Sequence, residues 1–130
     1  MIFVDSSVWI DWLRGTTTHQ TETLAQMMVS QHVLVGDLVL VEVLQGIADP
    51  VQFERTRAVL LERRIVTVAG ADIAVQAARN HRRLRAAGVT PRKTIDTLIA
   101  TRCIFEGWSL LTRDRDFAPF AAHCGLHLLG

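Results

Sequence analysis

Short apolar runs alternate with helix-like segments along the chain, and this alternation limits the possible folds more than any other feature. The apolar runs lie at 2–4, 33–35, 65–68, 109–112 and 126–129. Each run has the length of a buried strand and is too short for a typical helix. Strands separated by helices pair in parallel through crossover connections. The sequence therefore predicts an α/β fold, a three-layer α/β/α sandwich with a central, mainly parallel sheet.

Polar side chains at the starts of the intervening segments indicate where the helices begin. Ser6 or Ser7 can cap a helix after the first apolar run. Asp37 can cap the segment after the second run, and Thr94 can cap the last long helix. A clear helical period also extends over 71–87, which Gly88 closes. Helices are thus expected between the strands, as the sandwich requires.

Length and composition limit the classes of protein to which the chain can belong. Its 130 residues, 49% of them hydrophobic, predict one domain over residues 1–130. A formal net charge of +1 makes a general polycation improbable, so nucleic acid would have to bind a local patch. No apolar run reaches the roughly 20 residues of a membrane helix. Because the start also lacks the pattern of a signal peptide, we expect a cytoplasmic protein without a membrane segment.

Acidic side chains lie where predicted strands end. Asp5 directly follows the first apolar run, and Asp114 follows the fourth. In open α/β sheets, ligands bind at the carboxyl ends of the strands. Glu42 interrupts an apolar stretch, and Asp96 lies in the first turn of its helix. We therefore expect these four acids to share one pocket.

Carboxylates that share a pocket repel one another unless protons or cations neutralise them. Mg²⁺ prefers oxygen ligands, and Mn²⁺ suits the same ligands. A soft metal fits less well, because Cys103 and Cys124 are not in a C-x-x-C pair. His123 and His127 are four residues apart, but His127 lies in the predicted terminal strand 126–129, so the two do not share a helix face. A site for Mg²⁺ or Mn²⁺ is therefore the leading hypothesis.

Each acid also has an ordinary structural explanation. Asp5 and Asp96 lie near helix starts, where the macrodipole stabilises a negative charge by about 0.3–1 kcal/mol. Glu42 can be an exposed glutamate on a helix. The alternating arginines and acids at 113–116 can form a solvated turn with salt bridges. The joint placement of the acids favours a shared site more strongly than any one of them does.

Four segments of the sequence indicate a known family. They are IFVDSSVWI at 2–10, VEVLQG at 41–46, DTLIA at 96–100 and LTRDRDF at 111–117. In these segments, and over its whole length, the chain resembles the PIN domain, specifically the VapC-type ribonuclease toxins of bacterial type II toxin–antitoxin pairs. The resemblance implies a metal-dependent endoribonuclease that cuts structured RNA such as transfer RNA.

The resemblance also assigns roles to individual residues. It implies a catalytic quartet of acids, which are Asp5, Glu42, Asp96 and Asp114. The implied metal ligands are Asp5, Asp96, Asp114 and Asp116. Glu42 would either bind metal or orient the attacking water, and Asp116 would assist a second ion. Thr112 and Ser6 would be supporting hydroxyls.

A local basic surface supports RNA binding independently of the resemblance. Arg82 and Arg85 lie on the predicted helix 71–87, and Arg92 and Lys93 precede the helix that carries Asp96. These cations can bring phosphates towards the acids. For the helix arginines, a solvated helix face is an equally good explanation.

The resemblance further implies two protein partners, a cognate antitoxin and a second copy of the chain. Trp9, Trp12 and the segment 16–28 are candidate antitoxin contacts, with core packing as the alternative for the tryptophans. The competing function is a PIN-like module that binds RNA or protein without cutting it. A missing acid would favour that module, and all four motif acids are present.

Overall fold

Five strands form one sheet in the computed structural model, which describes residues 1–30 and 32–130. The strands are β1 Ile2–Val4, β2 Val33–Gly36, β3 Arg64–Val66, β4 Ser109–Leu111 and β5 His127–Leu128. Their order across the sheet is β3-β2-β1-β4-β5, and each recorded pairing is parallel. The predicted α/β class with a parallel central sheet is therefore confirmed.

Helices flank the sheet in two packed groups. They are α1 Ser6–Leu13, α2 His19–Met28, α3 Asp37–Leu44, α4 Pro50–Leu61, α5 Ala71–Ala86, α6 Thr94–Glu106 and α7 Ala118–His123, with a 3₁₀ helix at Arg115–Phe117. One group packs α1 against α2 and α3, and the other packs α5 against α6 and α7. Over residues 1–30 and 32–130, no helix combines the length and apolar character needed to cross a membrane.

The register of the central strands determines where the chain leaves the sheet. Val4 of β1 lies opposite Leu111 of β4, and the Asp5 amide donates to the Leu111 carbonyl at 2.9 Å. Because the two strands are parallel, their carboxyl ends lie side by side at one edge of the sheet. Asp5 and Thr112, the residues that follow these strands, are thereby brought together.

Two predicted helix caps are one position wrong. The helix α3 begins at Asp37 with Gly36 in the cap position, and α6 begins at Thr94 with Lys93 in the cap position. The Asp37 carboxylate instead accepts the amide of Val68 at 2.9 Å, besides the amide of the next residue. Asp37 therefore connects the start of α3 to the segment after β3.

Candidate metal centre

Asp5 is buried at the end of β1, and two hydroxyls hold its carboxylate. Its Oδ2 accepts from Ser7 Oγ at 2.8 Å and from Thr112 Oγ1 at 2.9 Å. Asp5 itself occupies the N-cap position of α1, but its side chain makes no capping bond. The sequence prediction that Ser6 or Ser7 caps this helix is therefore wrong. The Asp5 carboxylate is oriented across the sheet edge instead.

Thr112 links Asp5 to the loop that carries Asp114. The Thr112 hydroxyl donates to Asp5 and also accepts the Asp114 amide at 3.0 Å. Ser7 assists from the other side, because its Oγ accepts the Arg113 amide at 3.2 Å. Both chain segments that leave the sheet here are thus tied together by side-chain hydroxyls. The sequence predicted Thr112 as a supporting hydroxyl. It did not predict that Ser7 supports Asp5, although Ser7 and Asp5 are only two residues apart.

Three further acids form a compact cluster beside this edge. One carboxylate oxygen from each of Asp96, Asp114 and Asp116 lies within 4.8 Å of the other two. Asp96 is buried in the first turn of α6, whereas the other two are half-buried on the loop after β4. Asp114 Oδ1 accepts the Asp116 amide at 2.9 Å, which closes the 3₁₀ turn. Asp5 lies outside this compact group in the described part of the chain.

The electrostatic environment nevertheless couples Asp5 to the cluster. The pKa of Asp96 is raised to about 6, chiefly by burial and next by the negative charge of Asp5. Asp114 and Glu42 act in the same direction, whereas the Lys93 ammonium lowers the pKa. Asp5, Asp114 and Glu42, the other three acids predicted from the sequence, therefore all lie close enough to Asp96 to influence its carboxyl group.

Glu42, on α3, faces the same negative field. Burial is the main reason why its pKa is raised, and the charge of Asp5 is the second. The hydroxyl of Ser6 and the charge of Lys93 oppose that rise. Ser6, a predicted supporting hydroxyl, thus lies close enough to influence Glu42, whereas Ser7 is the serine that donates to Asp5.

The side chains present are suited to a divalent cation. Asp96 Oδ2 and Glu42 Oε1 are buried without a hydrogen-bond partner. A buried carboxylate oxygen without a partner is costly, and a hard cation removes that cost. Cys103 is no competing ligand, because burial in the core raises the pKa of its thiol. An all-oxygen set of this kind favours Mg²⁺ or Mn²⁺ over a soft metal.

Two residues that the sequence reasoning missed join the chain segments that carry Asp5 and Asp114. Asp11 is buried on α1, and both of its oxygens accept from the Arg113 guanidinium, at 2.6 and 3.2 Å. Arg113 is the residue before Asp114. An acid between Ile10 and Trp12 on an apolar helix was a detectable signal, of the same kind that indicated Glu42.

The structure divides the predicted RNA-binding cations into two pairs. Arg92 donates from Nη2 to both oxygens of Asp116 at 3.0 Å, and Lys93 influences Asp96 electrostatically. Arg82 and Arg85 are exposed on α5 and belong to none of the ion pairs found in residues 1–30 and 32–130. Of these four predicted cations, Arg92 and Lys93 are therefore the two that lie near the acids.

The tryptophans of α1 do not present a shared surface. Trp9 is fully buried, and its ring lies edge-on to Trp12 with 5.8 Å between ring centroids. The suggestion that Trp9 contacts a partner is therefore wrong for this conformation, because core packing leaves it no exposed area. Trp12 is half-buried and retains some accessible surface.

Comparison with known proteins agrees with this geometry. The family model described as PIN domain matches residues 2–122. The structure of VapBC2 from Rickettsia felis bound to promoter DNA has a TM-score of 0.77 at 18% identity, covering 99% of this chain and 98% of that one. FitAcB from Neisseria gonorrhoeae has a TM-score of 0.80 at 18% identity, with coverages of 100% and 97%.

A third solved structure comes from Mycobacterium tuberculosis. It is VapC20, described as a sarcin-ricin loop cleaving toxin, with a TM-score of 0.67 at 21% identity. The match covers 98% of this chain and 99% of VapC20. At such low identities, these structures demonstrate a common fold.

Proposed function

This chain belongs to the PIN domain family, and we propose that it is a metal-dependent endoribonuclease toxin that a cognate antitoxin neutralises. The family consists of nucleases. One observation carries the catalytic part of the proposal: an unpartnered, buried Asp96 oxygen in a compact cluster with Asp114 and Asp116. The sarcin-ricin loop is structured RNA, so the description of VapC20 supports structured RNA as the substrate class. Within that class, transfer RNA is the proposed candidate.

The proposed ligands of a divalent ion are Asp96, Asp114 and Asp116, with Asp5 beside them. Such an ion, Mg²⁺ or Mn²⁺, would supply activation of water and neutralisation of charge on the phosphate. Asp5 depends on Ser7 and Thr112 for its orientation, since both hydroxyls donate to the same oxygen. Residues that orient a metal ligand typically influence metal affinity by about 10- to 100-fold.

Glu42 is proposed to orient the attacking water. Its Oε1 has no hydrogen-bond partner, and its raised pKa brings the carboxylate closer to the range of an effective proton acceptor. In-line attack by water at phosphorus would leave a 5′-phosphate and a 3′-hydroxyl. This reaction does not need the RNA 2′-hydroxyl, so selectivity for RNA would have to come from binding.

Arg92 and Lys93 are proposed to bind the phosphates that flank the cleaved bond. Both precede α6 and both are exposed next to the acids. Arg82 and Arg85 would extend the basic surface along α5, where long-range attraction acts without a fixed contact. Binding through these residues should weaken as the salt concentration rises.

An antitoxin is proposed to cover the apolar groove beside Glu42. The groove has a volume of about 170 Å³, and its apolar lining includes Ile10, Leu13, Val43 and Ile47. An amphipathic helix is a common occupant of such a groove. A further solved structure of similar fold, from Klebsiella pneumoniae, is described as a toxin–antitoxin complex, which supports a protein partner here.

A homodimer is a further part of the proposal. An apolar cleft of about 320 Å³ lies between α5 and α6 and is lined in part by Ala74, Ala77 and Leu98. Val75, on the same helix as the first two, is exposed. Light scattering of the purified protein, with and without Val75→Asp, tests this face. A monomer before substitution would remove the dimer from the proposal.

The function is tested by incubating structured RNA with purified, antitoxin-free protein in Mg²⁺, Mn²⁺ or EDTA. We expect discrete fragments that require metal and disappear with Asp96→Asn. The matched control is Asp72→Asn, which removes an exposed acid from the first turn of α5 and should retain cleavage. No cleavage by folded wild-type protein would contradict the proposal and favour a non-catalytic module that binds RNA or protein.

A further inference from the structure

One acid of the candidate metal centre, Asp116, already pairs with a cation supplied by the chain itself. We propose that Arg92 is a tethered counter-cation, which occupies Asp116 until a divalent ion takes that carboxylate and frees Arg92 for a phosphate group. This inference rests on the proposed function and deepens it. It concerns how many carboxylates an entering ion can use, and what couples that ion to an anionic ligand.

The geometry of the pair supports this role. Arg92 Nη2 lies 3.0 Å from both oxygens of Asp116, so the arginine engages the whole carboxylate. An oxygen of the same carboxylate lies within 4.8 Å of oxygens from Asp96 and Asp114. Arg92 and an ion held by these acids would therefore compete for Asp116. The buried, unpartnered oxygen of Asp96 faces no such competitor among the described residues.

Exposure gives Arg92 the freedom to leave. Its side chain is 78% exposed, whereas that of Asp116 is 27% exposed. An exposed arginine can turn away from its partner at little cost, because water replaces the lost contact. Asp116 is less exposed, and its backbone amide is held by Asp114 Oδ1. The arginine is thus the member of the pair that can leave more easily.

Space for an anion adjoins the pair. A cavity of about 220 Å³ is lined by Arg92, Arg115, Asp116 and the backbone-restricted Pro91 and Pro119. A phosphate entering this cavity would meet two guanidinium groups and one carboxylate. Occupation of Asp116 by a divalent ion would remove the repulsive charge and release Arg92 at the same time. Ion and phosphate should therefore strengthen each other's binding reciprocally.

The test measures Mn²⁺ binding to full-length protein without RNA, by electron paramagnetic resonance or calorimetry. Arg92→Gln is compared with Arg115→Gln, which removes the same charge from the same cavity and leaves the Arg92 pair intact. We expect Mn²⁺ to bind about two- to fivefold more tightly to Arg92→Gln than to Arg115→Gln. The difference is small because an exposed ion pair is a weak competitor. When Asp116→Asn is combined with each arginine substitution, the two double variants should bind Mn²⁺ with equal affinity.

A second arm tests the coupling to an anion, using sulfate as the probe at constant ionic strength. Sulfate should strengthen Mn²⁺ binding to the wild type and have a smaller effect on Arg92→Gln. Equal Mn²⁺ affinities of Arg92→Gln and Arg115→Gln would overturn the inference, even if the wild type cleaves RNA with metal. Conversely, absence of RNA cleavage would contradict the proposed function and leave the Mn²⁺ comparison valid.

Discussion

The Arg113 guanidinium donates two hydrogen bonds to the Asp11 carboxylate, from Nε at 2.6 Å and from Nη2 at 3.2 Å. Asp11 lies on α1, the helix that begins after Asp5, and Arg113 directly precedes Asp114. The pair therefore joins the two chain segments on which these acids are carried. Its position suggests that it maintains the separation between Asp5 and Asp114.

Asp11→Asn should weaken both stability and metal binding. Asparagine keeps one acceptor oxygen and loses the charge. Because Arg113 is 53% exposed, we expect the free energy of unfolding to fall by only about 1 kcal/mol in urea denaturation. Mn²⁺ affinity should fall as well. The control, Glu106→Gln, breaks the Arg102–Glu106 pair at the end of α6 and should leave Mn²⁺ affinity unchanged. Unchanged affinity in Asp11→Asn would mean that the pair has a structural role alone.

Thr112→Val should reduce metal affinity with little change in side-chain volume. The substitution removes the hydroxyl that donates to Asp5 and accepts the Asp114 amide. We expect Mn²⁺ to bind about 10- to 100-fold more weakly in a calorimetric titration. Thr101→Val is the matched control, since it removes a buried hydroxyl that accepts from Asn80 on α5. Equal affinities in the two variants would argue against the positioning role of Thr112.

Asp96 should make the metal-free protein less stable as the pH rises. Its pKa is about 6 in the fold and 3.8 ordinarily, so between these values the folded state retains a proton that the unfolded chain has lost. The free energy of unfolding should therefore decline from about pH 4 to about pH 6, and the loss should be complete above that range.

Asp96→Asn lacks this contribution, and comparing it with the wild type cancels the titration of groups that do not interact with Asp96. The difference in unfolding free energy between the variant and the wild type should grow from about pH 4 to about pH 6 and then level off. Urea denaturation in EDTA measures this difference. Mg²⁺ at pH 7 should restore stability to the wild type more than to the variant. A difference that stays constant with pH would refute the prediction.

Gly36→Ala should destabilise the junction between β2 and α3. A methyl group there would lie 2.5 Å from Phe3 Cζ and 2.7 Å from Val68 Cγ2, both in the core. Overpacking of this kind costs about 1–3 kcal/mol in the free energy of unfolding, measured by urea denaturation. At Gly46, by contrast, the nearest recorded atom is the Val43 carbonyl oxygen at 3.7 Å. Gly46→Ala should therefore be tolerated, and similar losses for both variants would exclude the proposed clash.

Much of the fold and the general location of the site could be predicted from local patterns. Apolar runs of strand length, separated by helical periods, indicated the parallel sheet. The residues that follow two of those runs, Asp5 and Asp114, were predicted to meet because parallel strands share a carboxyl edge. The assignment of individual ligands stays a prediction, for which metal titration of the variants is the direct test.

The predictions that were wrong concern the exact position of a helix cap and the burial of individual side chains. The cap of α1 lies at Asp5 rather than at Ser6 or Ser7, and Ser7 instead donates its hydroxyl to Asp5. Trp9 and Trp12 are close in sequence, yet only Trp9 is fully enclosed by the core. Helical spacing predicts that these two residues lie near one another on the helix. It does not predict how much of each side chain the neighbouring elements bury.

The sequence by itself determined the α/β alternation, the strand-end placement of the acids and the family, because these depend on residue order and local period. Only the tertiary structure decided which side chains meet across the centre. Arg113 reaches Asp11 over a separation of 102 residues, and Arg92 reaches Asp116 over a separation of 24. Such pairs depend on strand register, helix packing and side-chain rotamers together. These are properties of the folded chain that no local pattern encodes.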